Sequence, residues 1–202
     1  LELKLGQKYI KRSVLRHADN YGAWRALEEL YAEGKLRAIG VSNFYPDRLV
    51  DICSFSRIKP MVNQVETHPH NQQKAAHEWM NKYGVVHEAW APFGEGRGGL
   101  FTDPVLQKIG AKYGKTTAQV ILRWHLQRGI VVIPKSTHRE RMAENFDVFD
   151  FTLSGEDMKE IAALDKEQSS FFSHTDPNMV EWFVKIVEER KRVTEDNAKK
   201  NW

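Results

Sequence analysis

The stretch Ile130–Asn145, IVVIPKSTHRERMAEN, decides how the rest of the 202 residues are read. Ile130 to Ile133 is a run of four apolar residues, short enough for a buried parallel strand. Pro134 ends that strand, and Lys135, Ser136 and Thr137 leave its tip. A helix then carries Arg139, Arg141, Glu144 and Asn145. A strand that hands a lysine, a hydroxyl and a helix N-terminus to one place is how a β/α protein builds an anion site. Lys135 and Arg141 suit a phosphate gripped by charge-assisted bonds, with Ser136 and free backbone N–H groups completing the cradle. Neither a Walker lysine loop nor a GxGxxG turn is present. The plainer reading is a strand, a loop and an amphipathic helix with a solvated basic face.

Working outward, the same unit recurs. Asp19 or Asn20 caps a helix over about 21–33, closed by Gly34. Residues 36–41 read as a short buried strand, and Pro46 starts a helix through about Ser54. Residues 61–65 and 85–90 are two further strands. Between them Asn71 caps a helix that runs to Tyr83, with Gly84 as its stop. A flexible glycine loop, 94–99, precedes a helix begun by Asp103–Pro104 and a stronger one, capped by Thr116, over 117–127. After the strand at 130–133, Ser154 with Asp157 forms a capping signature for a helix over about 155–164. Pro177 opens another, to about Glu189. Four strands alternating with helices predict a parallel sheet, either open or part of a closed barrel. An eight-stranded barrel typically takes about 250 residues. Four units leave an unpaired strand at each side, so self-association through open barrel edges is expected.

Composition narrows the partners. Charged residues make up 28% of the chain and the net charge is +3, with a pI near 8.9. That excess is too small to imply a nucleic-acid partner, and no basic tract lies beside exposed aromatics. No apolar run reaches membrane-spanning length, and Leu1–Lys11 is too charged for a signal peptide. The single cysteine, Cys53, forms no internal disulfide and fits a reducing, cytoplasmic setting. Its apolar neighbourhood, LVDICSF, marks it as a buried structural thiol. The chain reads as one domain over 1–202, with an atypical basic N-terminal segment, 1–18, and a polar tail, 192–202, expected to fray.

In either fold, chemistry belongs at the C-terminal ends of the strands. The chain delivers there Ser42 and Asn43, Gln64 with Glu66 and His68, Trp90, and Lys135 with Ser136. Asn43 and Gln64 donate and accept without adding charge, which matches a neutral planar edge. Trp90 offers a face to a planar ring. Together with the Lys135/Arg141 grip, these groups suit a nucleotide with a carboxamide-bearing ring at one end and phosphates at the other. Taken singly, Trp90 reads as well as core, and Gln64 as a loop-satisfying amide. Metal chemistry is disfavoured: His68, His70 and His77 lack ligand spacing, and no HExxH occurs. No serine forms a nucleophile elbow, and Glu66 and Glu88 do not by themselves make a glycosidase pair.

Four motifs carry a resemblance: GVSNF at 40–44, VNQVETHP at 62–69, EAWAPFGEGR at 88–97 and IPKSTHRERMAENFDVF at 133–149. In that order they closely resemble the aldo-keto reductases, with the bacterial 2,5-diketo-D-gluconate reductase-like members as the nearest look. The resemblance implies a TIM (β/α)8 barrel of which this chain carries the C-terminal half, strands five to eight, as if N-terminally truncated. It implies NADPH as cofactor, with Ser42, Asn43 and Gln64 on the nicotinamide carboxamide and Trp90 stacked on the ring. Lys135, Ser136 and Arg141 then take the adenosine 2′-phosphate, with Glu144 and Asn145 beside the adenine. Family members reduce a small-molecule aldehyde or ketone with an Asp–Tyr–Lys–His tetrad. His17, in RSVLRHADN, echoes the histidine, whereas the Asp, Tyr and Lys of the first three units are not found. Two expectations follow: an NADPH-dependent carbonyl reductase, or a non-catalytic NADP-binding or structural fragment.

Overall fold

The computed structural model describes residues 21–173 and 176–200, with 191–200 as backbone only. His17 and the segment 1–18 lie outside the described residues. The chain is helical over 21–32 (α1), and then alternates: β1 (Gly40–Ser42), α2 (Pro46–Phe55), β2 (Val62–Glu66), α3 (Lys74–Tyr83) and β3 (Val86–Trp90). Tight 3-10 turns span Gly94–Thr102, followed by α4 (Pro104–Tyr113), α5 (Thr117–Gln127), β4 (Val131–Val132), α6 (Arg139–Phe146), α7 (Gly155–Ala162) and α8 (Pro177–Lys200). The four strands form one parallel sheet in the order β1-β2-β3-β4. Gly40 pairs with Val62 and Val62 with Val86, and Ser42, Gln64, Glu88 and Val131 form the next row. A Cβ at Gly40 would come 2.7 Å from the Val62 carbonyl oxygen, so the closeness of β1 to β2 requires glycine there.

The pleat sorts the strand residues into two sets. Asn63, Val65, His87 and Ala89 are buried under the helices, whereas Val86 (45% exposed) lies on the opposite, uncovered face. The helical side holds two apolar cores. One joins Trp24, Leu49, Ile52, Val65 and Met80; the other joins Leu106, Ile109, Val120, Ile121, Trp124 and Ile161. Burying each large apolar side chain contributes about 1.5–3 kcal/mol. Cys53 is buried in the first core and free, and burial pushes its thiol pKa up, as a structural thiol requires.

Several elements depart from the sequence reading. The run Ile130–Ile133 is not a uniformly buried strand. Ile130 is buried, but Val131 and Ile133 are 42% and 50% exposed, because β4 is an edge and its face is uncovered. The first strand starts at Gly40 rather than Leu36, since the N–H groups of Lys35 and Leu36 turn back to Leu30 O. Asn71 does not cap α3. It exchanges two backbone hydrogen bonds with His68, closing the turn at Pro69, and Gln73 occupies the cap with φ 53°. The glycine loop is wound into tight turns, with Gly96, Gly98 and Gly99 in left-handed backbone. The last helix runs to Lys200, well past Glu189. The expected capping box at Ser154 and Asp157 forms, as does one at Thr116 and Gln119. Among the described residues, no helix is long and apolar enough to cross a membrane.

Candidate functional site

Two groups of side chains gather at the C-terminal ends of the strands. The first is built on β1, β2 and β3. Asn43 follows β1 in left-handed backbone, φ 57°, a conformation asparagine tolerates better than most residues. Its N–H donates to Gln64 O at 2.9 Å, and Ser42 Oγ donates to the same carbonyl at 3.0 Å. The Trp90 indole N–H donates to Asn43 Oδ1 at 2.9 Å, and Gln64 Nε2 donates to Glu88 Oε1. The neighbouring Asn63 is fully buried and clamps the Phe44 backbone, Nδ2 to Phe44 O at 2.6 Å and Oδ1 from Phe44 N at 3.3 Å. Ser42, Asn43, Gln64 and Trp90 are therefore one hydrogen-bonded cluster. Ser42 and Asn43 open onto a cavity of about 750 Å³ whose far wall is α8, through Met179, Val180 and Phe183.

The second group is built on the turn after β4 and on α6. Lys135, Ser136, Arg141, Glu144 and Asn145 line one cleft of about 530 Å³, together with Phe93, Phe101 and the first residues of α5. Ser136 Oγ accepts from His138 N at 3.1 Å and fixes the turn into α6. Glu144 accepts from Thr116 Oγ1 at 2.5 Å, which ties α6 to the start of α5. Lys135 and Arg141 are exposed and make no ion pair with a described residue. Two unneutralised cations beside a helix N-terminus form an anion-attracting cleft.

Sequence reasoning missed the groups that fasten the later chain to these tips. Glu66, at the end of β2, is fully buried and accepts from Ser169 Oγ at 2.5 Å and from Ser170 N at 2.8 Å. His68 Nε2 lies 2.9 Å from Glu66 Oε1, the oxygen that also accepts from Ser170 N. Burial pushes the Glu66 carboxyl up, but the bonds from His68, Ser169 and Ser170 outweigh it and hold the pKa below the usual range. This anchor sets Phe171 against Trp90, centroids 5.1 Å apart, with the Arg97 guanidinium on the Phe171 ring at 4.6 Å. The partners are about a hundred residues apart, and no local pattern announces them. The start of α5 in the cleft was half visible: Thr116 reads as a cap, but not as a cleft residue. Among the described residues, no group of three or more His, Cys, Asp or Glu could hold a metal ion.

A parallel β/α sheet with polar groups at the carboxyl ends of its strands is the arrangement in which open α/β folds and barrels place their small-molecule sites. The sequence model of the Aldo/keto reductase family matches residues 20–166, and the chain belongs to that family. It is 51% identical over 145 residues to the glyoxal reductase of Bacillus subtilis, covering 72% of this chain and 52% of that one. Its structure resembles MGS-M4, an aldo-keto reductase from a Medee basin deep-sea metagenome library, with TM-score 0.76 and 42% identity over 79% of this chain and 59% of the other. It also resembles the silkworm aldo-keto reductase AKR2E5 complexed with NADPH, with TM-score 0.70 and 35% identity over 74% and 48%. The chain spans about half the length of the curated relatives it matches. Membership stands at the level of the family, not of the 2,5-diketo-D-gluconate group.

Proposed function

We propose that this chain is the NADPH-binding half of a carbonyl reductase, carrying strands five to eight of an aldo-keto reductase barrel. The observation that supports this most directly is the cleft lined by both Lys135 and Arg141, neither of which is in an ion pair with a described residue. A 2′-phosphate there meets two cations, Ser136 and the start of α5, with Glu144 and Asn145 beside the base. Ser42, Asn43 and Gln64 would hold the carboxamide and Trp90 the ring. NADPH, when bound, supplies the hydride that turns an aldehyde or ketone into an alcohol. The protein's part here is to bind and orient: amides match a planar amide, and cations select a phosphate over a hydroxyl.

Fluorescence titration with NADPH and with NADH tests the reading. Each charge-assisted bond is worth about 1.5–3 kcal/mol, so Lys135→Ala and Arg141→Ala should each weaken NADPH binding by about tenfold or more. NADH binding should stay unchanged. Equal affinity for the two dinucleotides, with both variants indifferent, would overturn it.

The alternative reading is a non-catalytic NADP-binding fragment. It binds NADPH as above but shows no carbonyl-dependent NADPH oxidation. The outer edges of β1 and β4 are unpaired among the described residues, which supports self-association. A sedimentation profile holding at monomer mass at micromolar concentration would count against that. A cytoplasmic location belongs to the same proposal, resting on the free, buried Cys53.

A further inference from the structure

The parallel sheet is left open at both edges and over one face. Among the described residues β1 pairs only with β2, and β4 only with β3. Alternate residues of a parallel strand point their backbone groups to opposite sides. Asn43 N and Ile39 O bond to Gln64 and Met61, so Gly40 and Ser42 turn their N–H and C=O groups to the outer edge of β1. Val86 N and Trp90 O bond to Met61 and Thr67, on the β2 side. Ala89 therefore faces β4, and Val132, opposite it, faces outward. The uncovered face carries Val86, Val131 and Ile133. The helix after β4 is bare as well: α6 buries none of its residues. Met142 and Phe146 stand 50% and 76% exposed, with the Phe149 ring against Phe146. A helix that follows a strand of such a sheet needs a neighbour for its apolar stripe, and these two side chains are left largely uncovered.

The two open edges are complementary. β1 presents one flank of the sheet and β4 the other, so β4 of one copy can extend onto β1 of another with the strands still parallel and the helices still outside. Bare edge strands invite such pairing. A head-to-tail contact of this kind closes into a ring or runs on as a filament, according to the rotation it imposes. Parallel β/α strands close at eight, and with four strands in each chain the ring holds two chains. The chain spans about half the length of its curated relatives, so two copies together carry about the length of one of them. Resting on the self-association reading above, we propose that two copies of this chain close a single eight-stranded barrel about a two-fold axis, each β4 edge pairing in parallel with β1 of the second copy. Val86, Val131 and Ile133 then lie inside the barrel. Met142 and Phe146 pack on the helices that flank β1 of the second copy, and both sets of strand tips open at one end.

Sedimentation equilibrium of the full chain at micromolar concentration tests this. The wild type should hold at twice its own mass of 23.4 kDa. Val132→Pro removes the outward N–H of β4 without removing a bond to β3, and both seams use β4, so this variant should sediment as a monomer. Val131→Lys, at a position already exposed in the single chain, leaves the two helical cores untouched but places a charge inside the closed barrel. Its dimer dissociation constant should rise by about a hundredfold or more. A wild-type monomer would overturn this inference and the self-association reading together. A dimer that either substitution leaves unweakened, or a ladder of higher masses in place of a dimer, would overturn the two-chain barrel alone, since the copies would then meet by another surface or without closing.

Discussion

Acid should destabilise this fold well before its carboxylates titrate, and His87 should account for a definable share. His87 lies on β3 with its ring among the helices, 2% exposed. Its Nε2 is 2.7 Å from Thr67 Oγ1, and its Nδ1 is 3.0 Å from His77 Nδ1. Two ring nitrogens that face each other share one proton, so this pair is built for neutral rings. His125, fully buried, places Nδ1 2.8 Å from Ile121 O and Nε2 2.9 Å from Thr67 O. Burial, then the nearby charges of His77, Arg128 and His125, pushes the His87 pKa down to about 3. Burial likewise takes His125 down to about 4, against the pull of its two carbonyls.

Both groups bind a proton in the unfolded chain near the ordinary value of 6.5 but resist it when folded. Their contribution is therefore fully present above pH 6.5 and is lost as pH falls toward the folded values. At about 1.4 kcal/mol per pH unit, the fall from 6.5 to about 4.5 removes about 3 kcal/mol for each histidine. That is a large part of the ~5–15 kcal/mol that holds a domain together. The window excludes the main carboxylates. Burial pushes Asp157 up, but bonds from Lys112, Tyr113 and Ser154 take it down to about 2, and Glu66 is lowered too. Their contributions are present above the ordinary carboxylate range and are lost only below it. Urea unfolding at pH 6.5 and near pH 4.5 reads the loss directly. In His87→Leu, neutral-pH stability should drop by about 1–3 kcal/mol, for the partners left at Thr67 and His77. The pH slope should flatten by about 1.4 kcal/mol per unit. A wild type equally stable at both pH values, or a variant that keeps the full slope, would refute the reasoning.

Three further outcomes are expected. Thr116→Ala removes the capping box of α5 and the bond to Glu144; it should cost about 1–2 kcal/mol, seen as a lower urea midpoint with an unchanged slope. Gly110→Ala drives a Cβ to 2.4 Å from Lys115 O. The turn closed by Lys115 N on Gly110 O must then shift, at about 1–3 kcal/mol by thermal unfolding, and an unchanged Tm would contradict the close approach. Glu66→Gln keeps the shape but turns one acceptor into a donor facing Ser169 and Ser170. Amide exchange at Ser170 should accelerate and Trp90 fluorescence should change as Phe171 loosens, whereas unaltered protection at Ser170 would show that the anchor is dispensable.

What could be read from the sequence follows the range of the forces involved. The caps at Thr116 and Ser154 were legible because each is settled within four residues by one hydroxyl and one N–H. The parallel pairing of the strands was legible because strands linked by helices have few arrangements. The burial of Val131 and Ile133 was not, since it depends on whether anything covers that face of the sheet, and an apolar run is silent on that. Asn71 illustrates a local rule overridden by a local rival: Pro69 permits a tight turn that uses the Asn71 backbone, and the cap moves to Gln73 at positive φ. The attachment of Ser169 and Ser170 to Glu66, and of Phe171 to Trp90, has no periodic or compositional trace. The histidine pair at 77 and 87 was likewise visible only as two isolated letters.

The two gatherings of strand-end residues differ in a way that predicts how they share the work of binding. Asn43 already accepts from Trp90, and Gln64 already donates to Glu88. A carboxamide arriving there exchanges one set of hydrogen bonds for another, and such exchanges are nearly neutral in free energy. Lys135 and Arg141 have no such bonds to give up, and each gains a charge-assisted contact outright. On the proposed reading, affinity comes from the phosphate end, while the amides and Trp90 decide which way the ring lies. Asn43→Ala should then leave NADPH affinity within about threefold of wild type, where Arg141→Ala loses about tenfold or more. Parallel titrations of the two variants test the division, and an equal loss in both would place the binding energy at the strand tips instead.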